Sequence, residues 1–241
     1  MKYIGSKNKI SKELAPIIQS YIKEDTKGYL EPFVGGANMI DKIQHKNKVG
    51  SDIHKELIAL LNFAKDKPEY LPSGITKDEY IAVRDNKVLY DDWYVGLVGF
   101  CGSYNAKYFG GYAGECVTKQ GIRHYDQEAI KNLKKQSNGL RDILFLNKSF
   151  LDYSENEISG YVIYCDIPYK NTTDYKTTKF PYDEFYEWCL KMSQNNVVLV
   201  SEYNMPEELF ECIWNKECRV FLDNNNNNKQ RTEKLFIVKH Q

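Results

Sequence analysis

Tyr29-Leu30-Glu31-Pro32-Phe33-Val34-Gly35-Gly36-Ala37 opens the stretch, ending at Asp52, that decides the fold. Tyr29 to Phe33 reads as a short strand, Gly35-Gly36 as the turn that ends it, Ala37 to His45 as a helix, and Lys48 to Asp52 as a second strand. Together they make one βαβ unit of ordinary length. Upstream, Leu14, Ile17, Ile18, Tyr21 and Ile22 fall at three-and-four spacing, which predicts an amphipathic helix over Ser11 to Glu24 with Ser11 as its N-cap. Downstream, Leu57, Ile58, Leu60, Leu61 and Phe63 predict another helix over His54 to Ala64.

From about Pro68 to Ser137 the rhythm breaks. Helical patterns at Lys77 to Arg84 and Asp92 to Phe100 lead into a segment rich in glycine and aromatic residues, Gly102 to Gly121. Alternation then resumes with strands at Ile143 to Asn147, Tyr161 to Asp166 and Val197 to Ser201, and a helix at Tyr182 to Met192. The tail predicts a helix near Glu207 to Trp214, then strands at Cys218 to Leu222 and Lys234 to Lys239. The polar run Asn224 to Asn228 lies between these two strands, which form an antiparallel hairpin. Strands alternating with helices predict an α/β fold, a mostly parallel sheet with helices on its faces. The divisions are 1–67 and 138–241 for that domain and 68–137 for an insertion.

The chain has 241 residues, 33 basic and 33 acidic side chains, and formal net charge zero. Hydrophobic residues at 42% and charged residues at 27% exclude a chain disordered throughout or a fibrous repeat. No apolar run reaches the ~18 residues of a bilayer span, and Met1-Lys2-Tyr3-Ile4-Gly5-Ser6 has no signal-peptide core, so a soluble cytoplasmic protein is expected. Six cysteines and four histidines show no metal-ligand spacing, and no metal is expected. Zero net charge argues against a strongly basic nucleic-acid binder, an objection that depends on where the charges lie.

Three places carry chemistry. Gly35-Gly36 at the end of the first strand allows a sharp turn and close approach of a ligand, but the three-glycine dinucleotide fingerprint is absent. Asp52, at the end of the second strand, is placed to accept hydrogen bonds from ribose hydroxyls, or to be the N-cap of the helix starting near His54. The third is Tyr161-Val162-Ile163-Tyr164-Cys165-Asp166-Ile167-Pro168-Tyr169. A buried strand delivers a carboxylate, then a proline and an aromatic ring. That suits an exocyclic amine on a flat heterocycle: Asp166 accepts one amine hydrogen, the following main-chain carbonyl the other, and Tyr169 stacks on the ring.

With these residues in place the chain resembles a known family. Glu31-Pro32-Phe33-Val34-Gly35-Gly36 resembles the S-adenosylmethionine-binding motif of the Dam-like DNA adenine N6-methyltransferases, and Asp166-Ile167-Pro168-Tyr169 their catalytic Asp-Pro-Pro-Tyr motif. The order of motifs is that of the alpha group. The likeness extends from Lys2-Tyr3-Ile4-Gly5-Ser6-Lys7 to Arg231-Thr232-Glu233-Lys234-Leu235-Phe236. It implies a Rossmann-like methyltransferase sheet with an inserted target-recognition region, S-adenosyl-L-methionine as cofactor, and double-stranded DNA as partner. Tyr3, Lys7, Glu31, Phe33, Gly35, Asp52 and Asp166 would hold the cofactor, and Asp166, Pro168 and Tyr169 would form the catalytic adenine pocket. Two positions depart from the family: Ala37 stands where glycine is usual, bringing a methyl group near the cofactor, and Ile167 replaces the first proline, at a position expected to contribute its carbonyl.

Charge is partitioned along the chain. Cys101 to Phe150 carries eight basic residues against four acidic, interleaved with Tyr104, Tyr108, Tyr112 and Tyr125, whereas Leu151 to Leu190 carries three against eight. Lys107, Lys119 and Arg123 are candidate DNA contacts, with Arg123 or Asn105 the better base readers because their side chains make paired hydrogen bonds. Arg231, after the asparagine run, is a further candidate. The same pocket logic serves cytosine N4, an RNA base or a protein amide. A catalytically silent DNA-binding protein is another reading, a nicotinamide oxidoreductase a third, and a cognate restriction nuclease an accompanying partner.

Overall fold

Alternating buried strands and amphipathic helices give, in chain order, α1 (Ser11–Ser20), β1 (Gly28–Glu31), β2 (Lys48–Asp52), α2 (Lys55–Asp66), α3 (Lys77–Asp85), α4 (Asp92–Cys101), β3 (Glu115–Thr118) and β4 (Gly121–His124). There follow α5 (Tyr125–Leu140), β5 (Ile143–Asn147), β6 (Tyr161–Asp166), α6 (Tyr182–Met192), β7 (Val197–Glu202), β8 (Phe210–Phe221) and β9 (Asn228–Val238). The computed structural model describes residues 1–3, 5–118, 121–169, 180–221 and 228–239. Lys119 and positions 222–227 of the asparagine-rich run lie outside the described residues.

Seven strands form one sheet in the order β5-β2-β1-β6-β7-β9-β8. The first five are mutually parallel, with Tyr29 beside both Lys48 and Val162, and Asp166 beside Ser201. β9 runs antiparallel to both β7 and β8, so the expected terminal hairpin is present. Tyr29, Val162, Tyr164, Leu199 and Leu235 point to one face, where they pack with α1, α2, α4 and α5. Leu30, Ile163, Cys165, Val198, Val200 and Phe236 point to the other, against Phe185, Trp188 and Met192 of α6. With helices on both faces, the central strands are apolar on both sides, as buried parallel strands must be. α2 and α4 approach so closely that a Cβ on Gly96 would lie 2.1 Å from the Glu56 carbonyl oxygen. Among the described residues no helix is long and apolar enough to cross a membrane.

Four local expectations are corrected. Ala37 to His45 is not an α-helix; it holds only a 3-10 turn at Ile40–Lys42. Ala37 sits at φ +54, and the Gly36 and Ala37 carbonyls accept from Gln136 Nε2 at 3.1 and 2.9 Å, so the chain is tied down before a helix can start. Glu207 to Trp214 is not helical beyond a turn: β8 begins at Phe210, because ladder bonds to β9 from Phe210↔Val238 onward override local helical spacing. Ile10, not Ser11, is the N-cap of α1; Ser11 is its first residue, and its hydroxyl donates to the Asn8 carbonyl at 3.0 Å. The helix ends at Ser20 rather than Glu24. The hairpin β3–β4 and the 16-residue α5 fall where no element was predicted, and α5 crosses position 138.

Two predictions concern stability. Gln136, on α5, also donates to Asp41 Oδ2 at 3.0 Å and accepts from the Met1 amino group. Gln136→Leu leaves these groups without their partner and is expected to destabilise by about 1–3 kcal/mol, read as a lower urea midpoint. Glu31 is 3% exposed and accepts from Tyr29 Oη at 2.7 Å. Burial pushes its carboxyl well above the ordinary range; the Tyr29 bond opposes this, and Asp41 and Asp166 add to it. A carboxyl raised in the fold contributes most below its unfolded value of 4.5, and that contribution is lost as pH climbs through the raised value. Glu31→Gln keeps the acceptor without the charge, so its Tm should exceed that of the parent at pH 8, with the gap closing as pH falls.

Candidate active site

The glycine loop is built against Asp52. Val34 N–H continues the β1–β2 pairing by donating to the Ser51 carbonyl at 2.8 Å, and Ala37 N–H closes a turn onto the Val34 carbonyl at 2.8 Å. Gly35 takes φ +47 at the corner, and its N–H donates to Asp52 Oδ2 at 3.2 Å. A Cβ on Gly35 would lie 2.8 Å from Tyr3 Cε1, so the absent side chain is what lets the Tyr3 ring rest on the loop. Asp52 Oδ1 accepts from the His54 N–H at 3.0 Å, and the carboxylate thus orders both the glycine turn and the lead into α2. Burial pushes its ionisation upward, and the His54 and Gly35 amides oppose the shift. Beside it Ile53 is 77% exposed.

Asp166 ends β6 beside Ser201 of β7, two residues beyond the level of the last residue of β1. Lys7 Nζ, just before α1, lies 2.7 Å from Asp166 Oδ1, with the two side chains 7% and 23% exposed. The same ammonium lies 4.3 Å above the Tyr169 ring and 3.9 Å from Glu233 Oε2. Tyr169 Oη donates to Glu233 Oε2 at 2.7 Å, and its ring meets Tyr203 edge-on at 4.4 Å. Burial raises Asp166, the Lys7 ammonium pulls it back, and Glu233 raises it further. Tyr182 Oη donates to the Pro168 carbonyl at 2.7 Å and fixes the loop that carries the proline. Ile167 turns its side chain into the α6-side core at 3% exposure. Cys165 is wholly buried and its thiol is pushed up by burial, which leaves it a packing residue.

The predicted site residues therefore fall into neighbouring groups. Tyr3, Gly35 and Asp52 meet at the glycine loop, while Lys7, Asp166 and Tyr169 meet at the end of β6. Glu31 is buried at the end of β1, and Phe33 packs among Phe150, Phe180 and Phe185 at 5.3 to 5.8 Å between ring centroids. Ala37 is wholly buried with its methyl in the core.

The candidate DNA contacts lie in the inserted region and on β9. Asn105 is exposed at φ +53 in the turn Tyr104–Ala106, and Lys107 is exposed just after it. Arg123, on β4, makes a bidentate pair with Glu128 at 2.9 and 2.5 Å and lies 4.9 Å from the Tyr125 ring. Arg231 belongs to β9 opposite Cys218; its side chain lies outside the description, as Lys119 does entirely. Sequence reasoning did not single out Glu233, Tyr203, Tyr182 or Gln136. Glu233 alone had a readable signal, a carboxylate two residues before the apolar run Leu235-Phe236-Ile237.

Comparison with known proteins gives the family. The profile described as D12 class N6 adenine-specific DNA methyltransferase matches residues 3–220. The type II methyltransferase M.CviBI of Paramecium bursaria Chlorella virus NC1A is 32% identical over 184 residues, 69% of this chain and 68% of its own. A putative rRNA-methylase from Clostridium thermocellum aligns over 95% of this chain and 96% of its own, at 8% identity and TM-score 0.40. A putative methyltransferase from Thermoplasma acidophilum aligns over 47% and 53%, at 12% identity and TM-score 0.25. Matched over most of its length, the chain belongs to the D12 class of N6 adenine-specific DNA methyltransferases.

Proposed function

We propose that the carboxyl ends of β1, β2 and β6 hold S-adenosyl-L-methionine beside an adenine rotated out of duplex DNA, and that Asp166 presents the adenine N6 amine for methylation. The observation that carries this reading is Asp166 itself: a partly exposed carboxylate at a strand end, with a buried lysine and an aromatic ring against it. The donor set suits the cofactor. Asp52 is placed to take ribose hydroxyls, Ile53 offers exposed apolar surface for a flat base, and Tyr3, Lys7, Glu31, Phe33 and Gly35 complete the binding region. When bound, the cofactor supplies an electrophilic methyl group on a sulfonium centre.

Asp166 then accepts one N6 hydrogen and the Ile167 carbonyl the other, which draws the amine lone pair out of conjugation with the ring. Lys7 already occupies Asp166 Oδ1, so Oδ2 is the oxygen open to the amine unless Lys7 shifts. Tyr169 stacks on the adenine while its hydroxyl stays neutral, its ionisation raised by burial. Pro168 keeps the loop short of one backbone donor, and Tyr182 holds it from outside. The adenine must leave the stack because its amine cannot be reached inside the duplex.

Residues 1–67 and 138–241 carry catalysis in this reading, and 68–137 recognise the target, with α5 joining the two. Asn105, Lys107, Lys119, Arg123 and Arg231 are the proposed DNA contacts. In this reading the enzyme is cytoplasmic and works beside a cognate restriction nuclease, the arrangement suggested by its likeness to a protein named as a type II methyltransferase.

Expression in a methylation-free host, followed by mapping of modified bases, should reveal N6-methyladenine in one sequence context. Methylation confined to cytosine, or absent, would overturn the reading. Asp166→Asn should lower single-turnover transfer by about a hundredfold or more, measured below the melting temperature of the variant, which loses the closest anion to the Lys7 ammonium. For DNA binding, Arg123→Ala should weaken affinity for the mapped site by about tenfold and narrow its margin over other sequences. A uniform loss across all sequences would instead make Arg123 a phosphate contact.

A further inference from the structure

Glu233 lies at the site because of chain direction. The five parallel strands bring their carboxyl ends to the reacting side, but β9 runs the opposite way, so its first half arrives there. The β7–β9 ladder begins at Glu202↔Lys234, and Ser201, one residue earlier on β7, stands beside Asp166 of β6. Glu233 is therefore the residue immediately before that ladder. Side chains alternate along a strand, and Glu233 shares its face with Leu235, which packs in the core beneath α1. This directs the carboxylate toward Lys7 and Tyr169.

Its contacts are specific. One oxygen, Oε2, accepts the Tyr169 hydroxyl at 2.7 Å and lies 3.9 Å from Lys7 Nζ, and the side chain is only 15% exposed. Tyr203 packs against the same ring in a T-shaped pair, with centroids 4.4 Å apart and planes at 71°. A ring held at its hydroxyl by a carboxylate, against Tyr203 in a T-shaped pair and beside the Lys7 ammonium has little rotational freedom.

We propose that Glu233 is a positioning residue for methyl transfer, holding the Tyr169 ring and the Lys7 ammonium in the arrangement that receives the target base against Asp166. The role rests on the reading of Tyr169 as the stacking face for adenine. Glu233 touches neither the base nor the methyl group; it acts through Tyr169 and Lys7.

The charges around Asp166 give this role a signature that packing alone would lack. Lys7 faces Asp166 from the segment before α1, Glu31 from β1, Tyr164 and Cys165 from its own strand, Tyr169 from the following loop, and Glu233 from β9. Of these, Glu233 opposes ionisation of Asp166 and Lys7 favours it. Removing the Glu233 charge lowers the pH at which Asp166 becomes an acceptor.

The test compares wild type with Tyr169→Phe, Glu233→Gln, Glu233→Ala and the double variant Tyr169→Phe/Glu233→Ala, on duplexes carrying adenine or 2-aminopurine at the mapped position. Tyr169→Phe and Glu233→Ala should each slow single-turnover transfer by about tenfold, and the double variant should be no slower than the worse single one. Glu233→Gln keeps an acceptor for the tyrosine and should stay within about threefold of wild type. Its acid limb of kcat/KM should nonetheless move to lower pH. Emission from 2-aminopurine in the cofactor-free complex should rise when the ring is released in Glu233→Ala. Additive losses in the double variant, an unmoved acid limb in Glu233→Gln, or unchanged 2-aminopurine emission would each overturn the role of Glu233 while wild-type adenine methylation persists. Absence of adenine methylation by the wild type would overturn the reading of the site and this role with it.

Discussion

A lysine and an aspartate that are 7% and 23% exposed are stable so far from water only as a pair, and the Lys7–Asp166 contact at 2.7 Å is where the proposed catalytic site is assembled. Taking two charges from water costs more than their attraction returns unless other polar groups complete the site. Here Glu233 and the Tyr169 ring add a second anion and a π face to the ammonium. Together with Glu233 the pair joins three distant parts of the chain: the segment before α1, the end of β6 and the middle of β9. Its geometry therefore depends on the sheet order, and the polar site gains its fixed shape from the apolar layers beneath it.

The glycine loop shows a second dependence. Gly35 is required because Tyr3 lies where its Cβ would be, whereas Ala37 adopts φ +54 without that freedom. An L-residue in this region costs roughly 1–2 kcal/mol, and burying one methyl group returns about 0.8 kcal/mol. The remainder is offset by the bonds that hold the loop, from Gln136 to the Gly36 and Ala37 carbonyls and from Ala37 N–H to Val34. Because the Ala37 methyl lies in the core, the departure from glycine acts on loop strain rather than through contact at the ligand side.

What could be read from the chain follows from how local each determinant is. The strands Ile143–Asn147 and Tyr161–Asp166 and the helix Tyr182–Met192 have the predicted bounds, since a short apolar run or a 3.6-residue stripe is a property of the segment itself. Asp52 and Asp166 were legible for the same reason, as carboxylates at the ends of such runs. Helical spacing over Glu207 to Trp214 misled because pairing with β9 is long-range, and the helix expected after Ala37 failed because its first carbonyls are taken by Gln136, far along the chain. Glu233 escaped notice on equal grounds: its partners Lys7 and Tyr169 are distant in sequence, and only the antiparallel direction of β9 brings them together.

Net charge acquires a different meaning once the side chains are placed. The stretch from Cys101 to Phe150 is basic by count, yet Arg123 is already paired with Glu128 in bidentate fashion. Such a surface presents less free positive charge than its composition suggests, and its attraction for phosphate is correspondingly weak. A guanidinium committed to an internal carboxylate is exchanged to a guanine edge or a phosphate only where geometry offers two acceptors in place of the two it gives up. If Arg123 reads DNA as proposed, its pairing with Glu128 penalises sequences that present a single acceptor. In a chain with no overall charge to hold it on DNA, discrimination of that kind depends on the intramolecular bond as much as on the contact that replaces it.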